Sequence, residues 1–227
     1  MSDFLQIFYS QLPPTLQRVW EGLSGPIEIQ RYLDTLPYIG EERNRSPLQV
    51  MLDGQCHCLD GALLAALALR RLGEPGLLLD LRPALDEQGR PVDDDHVLTL
   101  FRRNGLWGAI AKSNFPWLRY REPVYRSLRE LAMTYFEVYF DIHHLKTLRA
   151  YTRPFDIARF DHAPYPWDET SAARLYAAFY RRKAIALFPE EAARALQPVD
   201  QRAFESGSLG TDWNWTFSTH KEGERER

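Results

Sequence analysis

Hydrophobic positions along this chain fall into three kinds of pattern. The first is the stretch Gly61 to Leu69, where apolar and small residues follow one another with no polar interruption. Preceded by Cys58 and ended by Leu72, Gly73 and Pro75, it predicts a helix over about 58–72, with Gly73 as its C-terminal cap and no face left for solvent. The second kind is short and bounded by turn residues. Leu77-Leu78-Leu79-Asp80-Leu81 reads as a buried strand, and the runs His96 to Phe101 and Leu106 to Ala111 read as a hairpin, with Asn104-Gly105 supplying its turn.

The third kind recurs at helical spacing. Val124, Leu128, Leu131, Tyr135 and Val138 predict a helix opened by Pro123. Another is expected from Asp168 or Thr170 through Leu175, Ala178, Phe179 and Arg182 towards Phe188-Pro189. The first fifty residues predict short helices broken at Pro13-Pro14, at Gly25-Pro26 and by the polar stretch Gly40 to Pro47. Helices, a central helix, at least three strands and helices again make an α+β chain. A single α+β domain is expected over 1–206. From 207 to 227 the chain reads as mostly irregular, with the patch Trp213-Asn214-Trp215 and a charged tail, His220 to Arg227, expected to be disordered. No internal repeat is present.

A chain of 227 residues can bury a sizeable core, and its net charge of −3 argues against a nucleic-acid or anionic-membrane partner. Gly61 to Leu69 is far shorter than the roughly 20 residues of a membrane span. The start Met1-Ser2-Asp3-Phe4 lacks the basic and apolar regions of a secretory signal. A cytoplasmic protein is the expectation. The two cysteines, Cys56 and Cys58, are too close for an unstrained disulfide and read as free thiols.

Their placement is the main chemical signal. A thiol at a helix start meets unpaired amide N–H groups and the positive end of the helix dipole, both of which favour the thiolate. A base is then needed, and His96 both follows this helix and begins a strand of the hairpin. Bland readings stand beside this one: a buried cysteine at a helix start is more often inert packing, and a strand-initial histidine is usually a partly buried polar residue. A metal site built from Cys56, His57, Cys58, Asp60 and His96, joined by His143-His144, is the rival; Cys-x-Cys without a second cysteine pair matches structural zinc poorly. Arg119-Tyr120-Arg121 and Tyr180-Arg181-Arg182-Lys183 read as solvated helix faces rather than phosphate sites.

The stretch Cys58 to Pro75, with a small residue four after the cysteine and then Leu72-Gly73-Glu74-Pro75, resembles the signature of transglutaminase-like cysteine enzymes. His96 and Trp107 resemble its second half, and the likeness covers about Gly54 to Asn114. It implies a papain-like fold, with a nucleophile helix on an antiparallel sheet, and acyl transfer or hydrolysis at a peptide or carboxamide through a thioester. Members without activity also exist. Gly54-Gln55-Cys56 copies a triplet that nominates Cys56, whereas the family's spacing of fifteen residues before the glycine of Leu-Gly-x-Pro nominates Cys58. Helix phase favours Cys58, which shares a face with Ala62, Ala65, Leu69 and Leu72. The family's third group is an aspartate about four residues after the tryptophan; none follows Trp107 here, so Asn114 takes that role, with Ser113 second.

Cys58 is thus expected to attack, His96 to carry the proton within about 4 Å of the sulfur, and the Cys58 N–H to help hold the oxyanion. Asp93, Asp94 and Asp95 fall on the loop before the strand, where they shape the entrance. No organic cofactor or metal is implied, and the sequence does not fix the oligomeric state. The alternative is a non-catalytic binding module that kept the fold and lost the third group.

Overall fold

The computed structural model describes residues 3–216. The charged tail from His220 onward lies outside them. Four short helices open the chain: α1 (Asp3–Gln11), α2 (Pro14–Gly22), α3 (Pro26–Thr35) and α4 (Pro47–Asp53). Prolines at the first turn of the last three explain the breaks, since proline suits the position whose N–H has no helical partner. The polar stretch before Pro47 hides the start of α4, where the Ser46 side chain accepts from the Gln49 N–H.

The central helix α5 (Cys58–Arg71) follows as expected, with every residue from Leu59 to Leu69 buried. Gly73, at φ +81°, ends it: Glu74 N–H bonds Leu69 and Gly73 N–H bonds Arg70, the paired bonds of a Schellman cap. Next come β1 (Leu77–Pro83), β2 (His96–Arg103), β3 (Leu106–Ile110) and β4 (Arg121–Tyr125), then α6 (Leu128–Met133), β5 (Leu148–Thr152), β6 (Phe155–Asp156), α7 (Glu169–Tyr180), β7 (Ala184–Ala186), α8 (Glu190–Arg194) and α9 (Gln201–Gly207). The strands form one antiparallel sheet in the order β4-β3-β2-β1-β5-β7, with β6 beside β1. The architecture is α+β, and the β2–β3 hairpin turns at Asn104-Gly105, both at positive φ.

Two expected helices differ. The segment opened by Pro123 is an edge strand, β4, and only Leu128–Met133 is helical. The helical spacing of Val124 with Leu128 is accidental, because Val124 is exposed on the strand. Proline is tolerated there because an outer strand does not need every N–H. The helix from Asp168 begins on cue, capped by the Asp168 carboxylate on Ser171 N–H, but stops at Tyr180; β7 follows and pairs with β5.

The sheet is covered on both faces. Val97 and Phe101 of β2 pack with α5, and Thr99 donates to the Ala62 carbonyl of that helix at 2.6 Å. Leu98 and Leu100 point the other way, into a second core with Leu79, Leu81, Leu131 and Tyr135. This alternation fixes which strand residues can reach the start of α5.

Candidate functional site

The residues before α5 are held by a buried polar network. Asp60, fully buried in the first turn, accepts from the Arg45 backbone N–H at 2.8 Å, and its other oxygen lies 3.3 Å from His57 Nε2 and 3.8 Å from an Arg45 guanidinium nitrogen. Arg45 continues to Asp53 at 2.9 Å and to Glu41. Burial raises Asp60 to about 7 and lowers His57 to about 4, so His57 is neutral near pH 7. The network fixes the entry of the chain into α5, and the charge of Asp60 also reaches both thiols and raises them.

Cys56 is buried, bridged by its backbone to Pro37 and Ile39. Burial pushes its thiol up to about 12, with Lys112 opposing the shift. Lys112 lies five residues after Trp107, just past the end of β3. Its ammonium is buried and donates to the carbonyls of Leu33, at 2.9 Å, and Leu36, closing the C-terminal end of α3. Gly61 makes room for it, since a Cβ there would lie 2.7 Å from the Lys112 Cβ.

Cys58, half-buried, is the first residue of α5. Its sulfur contacts the Asp95 carbonyl at 3.9 Å. Burial raises its pKa well above the ordinary thiol value, the charge of Asp95 adds to the rise, and the Val97 N–H works against it. Tyr38, Tyr139, Tyr176 and Tyr180 are also within electrostatic reach; each is raised first by burial and then by nearby acidic groups that include Cys58. The thiol is therefore ringed by acids and phenols.

His96 begins β2, but its ring belongs to the opposite face. His96 pairs with Leu81, and paired residues of an antiparallel ladder share a face, here the one with Leu98 and Leu100. Its Nε2 is 2.6 Å from the Leu118 carbonyl, and its ring centroid is 6.2 Å from that of Tyr135. Burial lowers His96 to about 4, so it too is neutral near pH 7. The hydrogen bonds therefore do not join imidazole and thiol. Asp95, the half-buried loop residue just before β2, presents its carbonyl to the thiol and its carboxyl to Asp80 and Tyr180.

Asp95 meets Asp80, the carboxylate inside the apolar run of β1. Asp80 is fully buried and binds the Arg82 guanidinium at 2.6 Å. Burial raises both acids, and Asp80 reaches about 7. They line a groove of about 1080 Å³ that also takes in Arg82, Tyr180, Arg149 and Arg194. Asp80 was legible as a charge in the strand run; the meeting of Asp95 with it was not.

Asn114 lines a smaller cavity together with His96, Tyr38 and Asp94. Its carboxamide is engaged elsewhere: Nδ2 donates to the Asp212 carbonyl at 2.9 Å, and Oδ1 accepts from the Asp212 N–H at 3.0 Å. Ser113 accepts from the Phe115 N–H at 3.0 Å.

Among the described residues no three His, Cys, Asp or Glu side chains are grouped to hold a metal ion. His144 stacks on Phe204 at 4.0 Å, in the C-terminal part of the chain. The arginine-rich stretches are partly tied inward. Arg121 lies 3.9 Å over the Tyr135 ring, Arg119 pairs with Asp34 at 3.7 Å, and Arg182 donates to the Pro154 carbonyl at 3.1 Å. No described helix is long and apolar enough to cross a membrane.

No family model matches the chain, and no curated protein matches it. Among solved structures it is similar to LapG of Legionella pneumophila. An EGTA-treated form aligns at 13% identity and a TM-score of 0.34 over 48% of this chain and 68% of that one. A second LapG structure aligns at 14% identity and a TM-score of 0.33 over 48% and 70%. A superposition this loose transfers neither site residues nor chemistry.

Proposed function

We propose that this chain is a transglutaminase-like module that binds a peptide or carboxamide segment without turning it over. The observation that carries this reading is the division of the candidate residues between the two faces of the sheet. A cysteine nucleophile needs its thiolate stabilised and an imidazole within hydrogen-bond reach, oriented by a third group. Here the acids beside Cys58 disfavour the thiolate, His96 is neutral and bound to the Leu118 carbonyl, and Asn114 is committed to Asp212.

A second reading, acyl transfer or amide hydrolysis by Cys58, His96 and Asn114, is favoured by one feature. Cys58 is half-buried rather than sealed, at the first turn of α5 and beside the Val97 N–H. In that reading Cys58 would attack the carbonyl, His96 would turn to carry the proton, and Asn114 would hold the imidazole once released from Asp212.

Alkylation with an iodoacetamide probe across pH, followed by peptide mapping, decides between them. The binding reading expects the rate at Cys58 to climb with hydroxide up to about pH 9, at or above the ordinary thiol pKa, without a plateau near neutrality. A Cys58 rate that is already maximal at about pH 7 and falls in His96→Ala would establish an activated pair and overturn it.

A further inference from the structure

The two bonds between Asn114 and Asp212 engage the N–H and the C=O of one residue, which is how a carboxamide reads an extended peptide backbone irrespective of side chain. Asp212 has φ −82° and ψ 105°, within the extended region. Asn114 is buried, whereas Asp212, Trp213 and Asn214 are exposed, so the segment lies on the outside of the clasp. The segment has other anchors too, and Trp213, Trp215 and Thr216 line the cavity beside Asn114. The Thr211 hydroxyl reaches the Asn114 carbonyl at 3.5 Å, Trp213 stacks on Phe204 at 5.9 Å, and the Trp215 backbone passes over Gly40, where a Cβ would meet its carbonyl at 3.3 Å. Gly210, at φ +74°, and Leu209, 77% exposed, precede it as an unpacked joint.

We infer that Asn114 is the backbone-reading centre of a peptide-binding site, occupied here by the chain's own Thr211–Thr216, in which Asp212 is extended and Trp213–Trp215 form a single 3-10 turn, and open to another segment of that shape. The class of ligand is a peptide with a hydroxyl residue, one extended residue whose backbone is read by Asn114, and then a tight turn that opens on an aromatic residue to stack on Phe204. This rests on the binding reading above and names its ligand class. The site adjoins Tyr38, Asp94 and His96, so an occupant covers the cavity that His96 lines.

The test uses the full chain and a fluorescein-labelled peptide reproducing Ser208–Thr216. Asp212→Pro fits the observed φ and removes the N–H that Asn114 accepts, releasing the internal segment. The labelled peptide is expected to bind this variant saturably, and to bind the native chain at least about tenfold more weakly, because a tethered segment competes at millimolar effective concentration. Adding Asn114→Ala to Asp212→Pro should weaken binding at least about tenfold, with each lost backbone bond left unsatisfied. Equal binding to native and variant chains, no saturable binding to a folded variant, or indifference to Asn114→Ala would each overturn the assignment. Should Asp212→Pro fail to fold, hydrogen exchange on the native chain gives the answer: Asn114→Ala must speed exchange of the Asp212 amide while α5 amides stay protected, and unchanged exchange refutes the clasp. Cys58 alkylation read on the same samples separates the two failures. A reactive Cys58 at neutral pH removes the non-catalytic reading, and an unreactive Cys58 with no peptide binding removes only the peptide site.

Discussion

The two faces of the sheet at the start of β2 lie one residue apart and differ in kind. On the face towards α5, Asp95 approaches the Cys58 thiol and meets Asp80, and Thr99 is bonded to the helix backbone. On the other, His96 sits among Leu81, Leu98 and Tyr135, with one bond to the Leu118 carbonyl. The strand period of two decides this, and a shift of one position would exchange the roles of Asp95 and His96. What the difference teaches is that the pleat at the start of a strand, and not sequence spacing alone, governs which side chain a cysteine at the head of α5 can meet, and the binding reading proposed above rests on it.

The largest effect should come from the packing beneath the thiol's face. Leu64, fully buried in α5, faces a core with little room to collapse, so Leu64→Ala should cost about 2–5 kcal/mol in urea unfolding. A loss below about 1 kcal/mol would mean that α5 is not clamped between sheet and helices as described.

A middle effect separates the faces directly. His96→Ala removes the bond to the Leu118 carbonyl and should destabilise by about 1–3 kcal/mol. The alkylation rate of Cys58 should stay within about twofold, since the ring is on the far side of the strand; a tenfold fall would place the imidazole in working reach of the sulfur. Measuring unfolding and alkylation on one preparation keeps the two consequences apart.

Much of the frame was legible because the relevant signals are local. The apolar run with Gly73, the Asn104-Gly105 turn and the Asp168 cap each carry their own stereochemical reason, and each element begins or ends where that reason says. β5, β6 and β7 are two to five residues long, too short for a period to show against their loops. The phase of His96 was hidden for a different reason. The run Val97-Leu98-Thr99-Leu100-Phe101 is buried on both faces and does not alternate, so nothing in it says which way its first residue points. Thr99 is the single polar mark, and it discloses the phase only once its bond to Ala62 is seen. Asn114 was read as an orienting group from its place after Trp107. Its partner lies 98 residues further along the chain, a distance over which sequence pattern carries no pairing information.

The smallest effect is a pH dependence of opposite sign for the two faces. Asp60 and Asp80, on the thiol's side, are raised by burial to about 7, against an unfolded carboxylic pKa of about 4. Between those values the folded chain holds more protons than the unfolded one, so their contribution is complete below about 4 and is lost as pH rises through about 7. His96, lowered by burial to about 4 against an unfolded value of about 6.5, behaves inversely: its contribution is present above about 6.5 and is lost as pH falls through about 4. The two oppose each other in the acid range, but from about pH 8 down to about 6.5 the two buried carboxyls outweigh His96, whose unfolded imidazole is only about half-protonated at the lower end. Thermal melts should therefore give a higher Tm at about pH 6.5 than at about pH 8, and Asp80→Asn, which removes one of the titrating groups, should flatten the rise. A Tm that falls over that interval would mean that Asp60 and Asp80 are ionised in the folded chain, and the acid-ringed thiol would have to be replaced by one facing stable charges.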